Sequence, residues 1–169
     1  MRRFSAAIGT AVFALTPATV AGAIPRYVSG WEVRGPFAHG WPLRILGAFL
    51  IAAGAGVLAA AFVRFVAEGL GTPAPVAPTA ELVVGGLYRY VRNPMYLAVV
   101  TTIVGQSLLF GQLDLAVYAA IAWMVMALFA AGYETPALTR QFGDAYVEYR
   151  RTVPAWLPRF PRAVTRHDP

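Results

Sequence analysis

Two places in this chain set polar and aromatic side chains against an apolar background. The first is residues 85–96, GGLYRYVRNPMY, where three tyrosines, two arginines and an asparagine fall within nine positions. The second is Glu134, a carboxylate at the end of a long apolar run. Tyrosine faces suit flat rings and attract cations. Guanidinium groups hold carboxylates, and a carboxylate suits an ammonium or a pair of hydroxyls. The same residues have a plainer use. At a membrane boundary, tyrosines and arginines anchor a chain in the headgroup layer, and Asn93-Pro94 is an ordinary helix start with asparagine as N-cap. Glu134 can snorkel to water, pair with Arg89 or Arg92, or meet a cationic ligand, because burying it alone is costly.

Composition says what must hold these groups. Hydrophobic residues make up 58% of the 169 and charged residues only 13%, against about a quarter charged in a soluble domain. The length suits one domain, residues 1–169. With no cysteine, disulfides, thiolate metal sites and cysteine nucleophiles are excluded, and no metal site is expected. All 14 basic residues are arginine, and the net charge is +6. The arginines flank apolar runs, so membrane lipids with anionic headgroups, not nucleic acid, are the partners they imply.

A span needs roughly 20 mostly apolar residues. Four stretches qualify as candidates: Phe4–Ile24, Leu43–Val66, Tyr96–Phe110 and Leu115–Tyr133. The last two are separated only by Gly111–Asp114, which predicts a tight antiparallel hairpin. The first also fits a secretory signal peptide, with Arg2-Arg3 before it and Ala21-Gly22-Ala23 at its end; the retained helix is the reading carried forward. With four spans, one side holds eleven arginines and the other holds Arg26, Arg34 and Arg44. The positive-inside rule then puts both termini in the cytoplasm, and the membrane expected is the inner membrane of a bacterium or archaeon. In the second span Ala48, Ala52, Gly56 and Ala60 stand four apart, either a close-packing stripe or the mark of an alanine-rich composition. Residues 71–78, GTPAPVAP, read as a cytoplasmic loop.

Behind Glu134, the residues Leu138, Phe142, Tyr146 and Tyr149 are spaced four, four and three. That predicts one amphipathic helix over 134–152, continuing from the fourth span along the membrane surface. VPAWLPRFP ends it. The fold expected is an all-α integral membrane protein of four transmembrane helices plus a cytoplasmic amphipathic C-terminal helix.

The order Gly86, Tyr88, Arg92, Asn93, Pro94, Tyr96, then a hairpin, then Glu134, Leu138, Phe142, Gly143, Tyr146, Tyr149, Val153 and Pro154 resembles the isoprenylcysteine carboxyl methyltransferase family. It is equally similar to the related small membrane methyltransferases that modify phospholipids. The resemblance covers residues 80–158, a methyltransferase-like core, while residues 1–66 match only as two generic spans. It implies S-adenosylmethionine as methyl donor in a cytoplasm-facing pocket and a lipid or isoprenoid-like methyl acceptor. By position, Ala80, Glu81, Leu82, Val83, Tyr88 and Arg89 would line the cofactor pocket. Asn93, Pro94, Met95 and Tyr96 would close on it, with Glu134 opposite. Arg92 and Glu134 are the residues assigned to catalysis. No Gly-x-Gly-x-x-Gly motif is present, so a Rossmann-type site is not expected.

Two departures bear on the substrate. Asn93 stands where carboxyl methyltransferases of the family have histidine. Thr135 follows Glu134, and residues 127–133, ALFAAGY, lack the arginine that the family places there for a prenylcysteine carboxylate. His39 and His167 fall on the far side and in the tail, away from any base role. Three other readings are a nicotinamide-dependent reductase of the sterol reductase type, a non-catalytic membrane scaffold, and a channel or transporter, the last opposed by spans with few polar residues beyond Gln106 and Ser107.

Overall fold

Proline and glycine decide where this chain bends and how closely its helices approach. The computed structural model describes residues 15–34, 40–68 and 82–159, with the side chains of 62–68 left aside. Every regular element among them is helical. Helix α1 covers residues 15–29 and contains a π-helical stretch, Thr19–Ala23. Then come α2 (Trp41–Glu68), a 3-10 turn (Gly86–Arg89), α3 (Pro94–Phe110) and α4 (Leu113–Phe129). A second π-helical stretch, Ala130–Glu134, carries α4 without a break into α5 (Thr135–Phe142), beyond which lies α6 (Asp144–Thr152).

Trp41–Ala61 and Leu113–Phe142 are long and apolar enough to cross a membrane, and Pro94–Phe110 is an apolar helix of 17 residues. Large apolar side chains on them face outward, among them Ile45, Phe49, Leu113 and Leu128. A water-soluble protein would bury such residues; a membrane protein faces them to lipid. The expected first span begins outside the described residues, and its described part stays helical to Ser29, past the expected end at Ile24. The proline-rich loop 71–78 also lies outside them.

Helices α2 and α3 make the closest contact, and glycine allows it. A Cβ on Gly105 would lie 2.7 Å from the Gly47 carbonyl oxygen and 2.9 Å from the Ile51 nitrogen, and one on Gly47 would meet Gly105 and Leu109 at 2.6 Å. Gly54 is held as tightly against Ala98 and Thr102. The packing stripe is therefore Gly47, Gly54 and Ala61, seven apart, all buried. This corrects the stripe expected at Ala48, Ala52, Gly56 and Ala60, whose members are exposed; nothing lies near Gly56. The helix is apolar all round, so spacing alone offered several candidate faces.

Both π-helical stretches end two residues before a proline, Pro25 and Pro136. In the first, the Ile24 N–H donates to the Thr19 carbonyl and Pro25 has no N–H, so Val20 gets no donor from its own helix. The Tyr118 hydroxyl donates to Val20 instead, at 2.9 Å, and Gln106 Nε2 donates to the neighbouring Ala21 carbonyl at 2.6 Å. These bonds tie α1 to α3 and α4 around a core of Val99, Ile103, Ala119 and Ala122. The α3–α4 hairpin turns on Gly111 at φ +69°. Gln112 closes its end, donating from Nε2 to the carbonyls of Ser29 (2.9 Å) and Glu32 (2.6 Å).

The single C-terminal helix expected over 134–152 is broken. Gly143, at φ +54° and ψ −129°, separates α5 from α6 in a conformation that a residue with a Cβ strongly resists. Leu138, Phe142 and Tyr149 are still half-buried, and Tyr146 is buried.

The α2–α3 contact gives a direct test. Gly105→Ala must push apart two backbones and should cost about 1–3 kcal/mol, whereas Gly56→Ala should gain about 0.5–1 kcal/mol from helix propensity. Thermal unfolding of the two variants in detergent should show midpoints moving in opposite directions.

Candidate functional site

The segment 87–94 and the tail after α6 are built on one another. Arg92 and Asn93 precede a helix that opens with proline, so their N–H groups need partners outside it. The Arg92 N–H donates to the Pro154 carbonyl at 2.9 Å and the Asn93 N–H to Ala155 at 3.3 Å, while the Arg159 N–H donates to Tyr90 at 2.9 Å. Asn93 stands at the N-cap position, as expected, but its side chain caps nothing. Its Nδ2 donates to the Ala155 carbonyl at 3.2 Å, which adds a fourth link to the tail. A fifth link comes from α6, where the Tyr149 hydroxyl donates to the Tyr88 carbonyl at 2.7 Å.

This clamp faces Glu134. The Tyr96 hydroxyl donates to Glu134 Oε2 at 3.2 Å. The ion pair with Arg89 or Arg92 that the residue types allowed is not formed among the described residues. The Trp156 ring stacks beside Tyr96 at 6.3 Å between centroids and meets Trp123 edge-on at 5.8 Å. Burial first, and the Glu134 charge second, push the Tyr88 phenol up to about 12. Burial also raises Tyr149, helped by Tyr88 and opposed by the Arg92 charge. Tyr88, Arg92, Tyr96, Glu134 and Tyr149 therefore share one electrostatic neighbourhood.

Arg92 completes it. Its Nε is buried and has no hydrogen-bond partner among the described residues. An unmet buried donor costs about 1–3 kcal/mol, more on a charged group, so the site is set to receive an acceptor there. A carboxylate, an unpaired guanidinium nitrogen and several aromatic faces together complement a small zwitterion carrying a flat ring.

The remaining expected site residues differ in their exposure. Leu82, Val83 and Met95 are half-buried, and Pro94 is buried. Arg89 is exposed, in keeping with a headgroup anchor, while Tyr88, Tyr90 and Tyr96 turn partly inward, away from an outward belt. Ala80 and Glu81 lie outside the described residues. Sequence reasoning missed Trp156 and the carbonyls of Pro154 and Ala155. The signal for Trp156 was a tryptophan between two prolines, in a segment read as a helix stop and as the end of the resemblance motif.

A family model described as phospholipid methyltransferase matches residues 42–145, more than half of the chain. The curated protein-S-isoprenylcysteine O-methyltransferase of Schizosaccharomyces pombe is 31% identical over 81 residues. That match takes in 47% of this chain, which spans only about a third (34%) of the relative's length.

The raised Tyr88 phenol makes alkaline stability a test of this neighbourhood. An unfolded tyrosine ionises near its ordinary 10.0, the folded Tyr88 near 12. Between these values the folded chain keeps a proton that the unfolded chain has lost. The stabilisation is therefore full below pH 10 and is lost as pH rises through 12. Tyr88→Phe should flatten this fall, as read from unfolding midpoints across that range.

Proposed function

The chain belongs to the phospholipid methyltransferase family, and from that premise we propose that it is an S-adenosylmethionine-dependent methyltransferase acting on a lipid-embedded or amphipathic acceptor. The observation that carries this reading is the convergence of Glu134, Tyr96 and Tyr88 with a buried Arg92 Nε that has no partner among the described residues. These groups fit the donor. Arg92 would hold its carboxylate, Glu134 its ammonium or ribose hydroxyls, and Tyr88 and Tyr96 its sulfonium and adenine. When bound, S-adenosylmethionine supplies an electrophilic methyl group.

The protein's own work is positioning. Tyr96 orients the Glu134 carboxylate, the loop–tail clamp fixes Arg92 and Tyr88, and Trp156 stacks beside Tyr96. A near-attack geometry held in a dry site accounts for much of the rate in such transfers. We take Arg92 and Glu134 as the residues nearest the chemistry and Leu82, Val83, Arg89 and Asn93–Tyr96 as its surroundings. Ala80 and Glu81 are carried over on resemblance alone. Residues 1–169 form one membrane domain, with two spans in 1–66 and the catalytic core in 80–158. α1 and α3 complete the set of four spans, and both termini face the cytoplasm.

Binding, topology and acceptor chemistry each test this. Titration of the purified protein with S-adenosylmethionine and with reduced nicotinamide cofactors should show binding of the first only. Glu134→Gln should weaken that binding by about 1.5–3 kcal/mol, the range for a hydrogen bond to a charged group. Binding of a nicotinamide cofactor instead would return the reductase reading.

In sealed cells, tags at both termini should resist external protease, and one in the Gly111–Gln112 turn should be cut. The opposite pattern would place the clamp and Glu134 in the wrong compartment.

The acceptor should be neutral when it reacts. Residues 127–133 offer no cation, and a carboxylate desolvated there without a partner costs several kcal/mol. An amphipathic amine or hydroxyl compound should take up label from S-adenosylmethionine, and a prenylcysteine analogue should not. Rapid formation of a base-labile methyl ester on that analogue would overturn the assignment.

A further inference from the structure

A second concavity lies across α3 from Glu134. It holds about 390 Å³ and is walled by Ala53 and Val57 of α2, Leu97 and Thr101 of α3, and Leu87 and Val91 of the loop segment. Successive residues of a helix turn by about 100°. Pro94, Leu97, Ala98 and Thr101 therefore share the face of α3 that lines this cavity, and Tyr96, which reaches Glu134, projects from the opposite face. The loop divides in the same way. Leu87, Tyr90 and Val91 line the cavity, while Tyr88 and Arg92 lie in the field of Glu134 and Tyr149. Helix and loop thus form a wall between two sites.

The chemistry of this second site is different. Its lining is apolar apart from the hydroxyls of Tyr90 and Thr101 and a single charge, the exposed Arg159. Arg159 has no carboxylate partner among the described residues. The cavity's volume falls within the roughly 300–1,000 Å³ range of ligand sites. Between two apolar helices of a membrane protein, hydrocarbon is what can fill it. One cation at the rim of a hydrocarbon slot complements a molecule with one chain in the slot and one anionic group at its mouth.

We propose that this cavity seats an acyl chain of an anionic membrane phospholipid, with the phosphate at Arg159, as an accessory lipid site distinct from the methyl-transfer site. A seated chain packs against Leu87, Val91 and Pro94, on the reverse of the segment that carries Tyr88 and Arg92. The bound lipid then supports the clamp from behind without touching the reacting groups. This goes beyond the methyltransferase reading and does not depend on it.

The test uses the full chain in phosphatidylcholine vesicles containing a trace of phosphatidylglycerol with a photoactivatable diazirine on one acyl chain. Cross-links are mapped by mass spectrometry. Adducts should concentrate at Ala53, Val57, Leu97 and Thr101, above the level at the outward-facing Ile45 and Phe49 of the same helix bundle. A phosphatidylcholine probe with the same chain should label them less. Arg159→Gln alters only an exposed side chain and should lower the headgroup preference about fivefold, the weight of one arginine at an anionic surface. Val57→Trp should fill the slot and abolish labelling at Ala53 and Thr101, with the unfolding midpoint showing that the variant is folded; Thr101→Leu serves if it is not. Equal labelling of cavity and outward residues would overturn the proposal. So would a headgroup preference unchanged by Arg159→Gln.

Discussion

A backbone carbonyl inside an apolar helix has no water to turn to, so each donor that proline removes must be replaced by a named group. Among the described residues, proline follows a π-helical stretch twice. At Pro25 the helix widens into a π turn, and Tyr118 and Gln106 donate to the carbonyls of Val20 and Ala21. The replacement donors come from α4 and α3, so the local defect becomes the link that docks α1 onto the hairpin. At Pro136 the same widening occurs just before the site. The Thr135 N–H is used by Ala130, which leaves Ala131 without a donor from its own helix. A π turn adds a residue to the helix and rotates the turns beyond it. Glu134 stands at the end of that turn, where it meets Tyr96.

Proline also accounts for the clamp. Because α3 opens on Pro94, the N–H groups of Arg92 and Asn93 point out of the helix and are taken up by the carbonyls of Pro154 and Ala155. Those acceptors belong to a proline-rich tail that cannot form a helix of its own and so has carbonyls to spare. Two segments some 60 residues apart thereby become one surface, with Tyr149 tying α6 to the same loop. Arg92 sits on that surface facing Glu134, and three of the five links are backbone bonds that side-chain substitution leaves in place.

Between the helices the driving force is different. Lipid offers apolar side chains the same environment as protein does, so helices associate through close contact and hydrogen bonds. Gly47, Gly54 and Gly105 bring the backbones of α2 and α3 together, while large residues such as Phe49 and Leu128 face outward. Beside this contact, Ala53 and Val57 of α2 and Leu97 and Thr101 of α3 line the slot beneath Leu87 and Val91.

The sequence by itself determined that the apolar runs are helical, their order among the described residues, and the tight turn near Gly111. Apolar length, proline and glycine fix these locally. Spacing also identified Leu138, Phe142, Tyr146 and Tyr149 as one inward set, although Gly143 breaks the helix that carries them. Only the tertiary structure decided which face of α2 packs, because a helix apolar on every side has no periodic signal to select Gly47 and Gly54 over Ala48 and Gly56. Only it showed that Asn93 binds the tail instead of capping α3, since both uses satisfy the same side chain. Only it brought Trp156 onto Tyr96 and left Arg92 Nε buried without a partner among the described residues. Those facts depend on contacts between distant segments, and no local pattern of residue types encodes them.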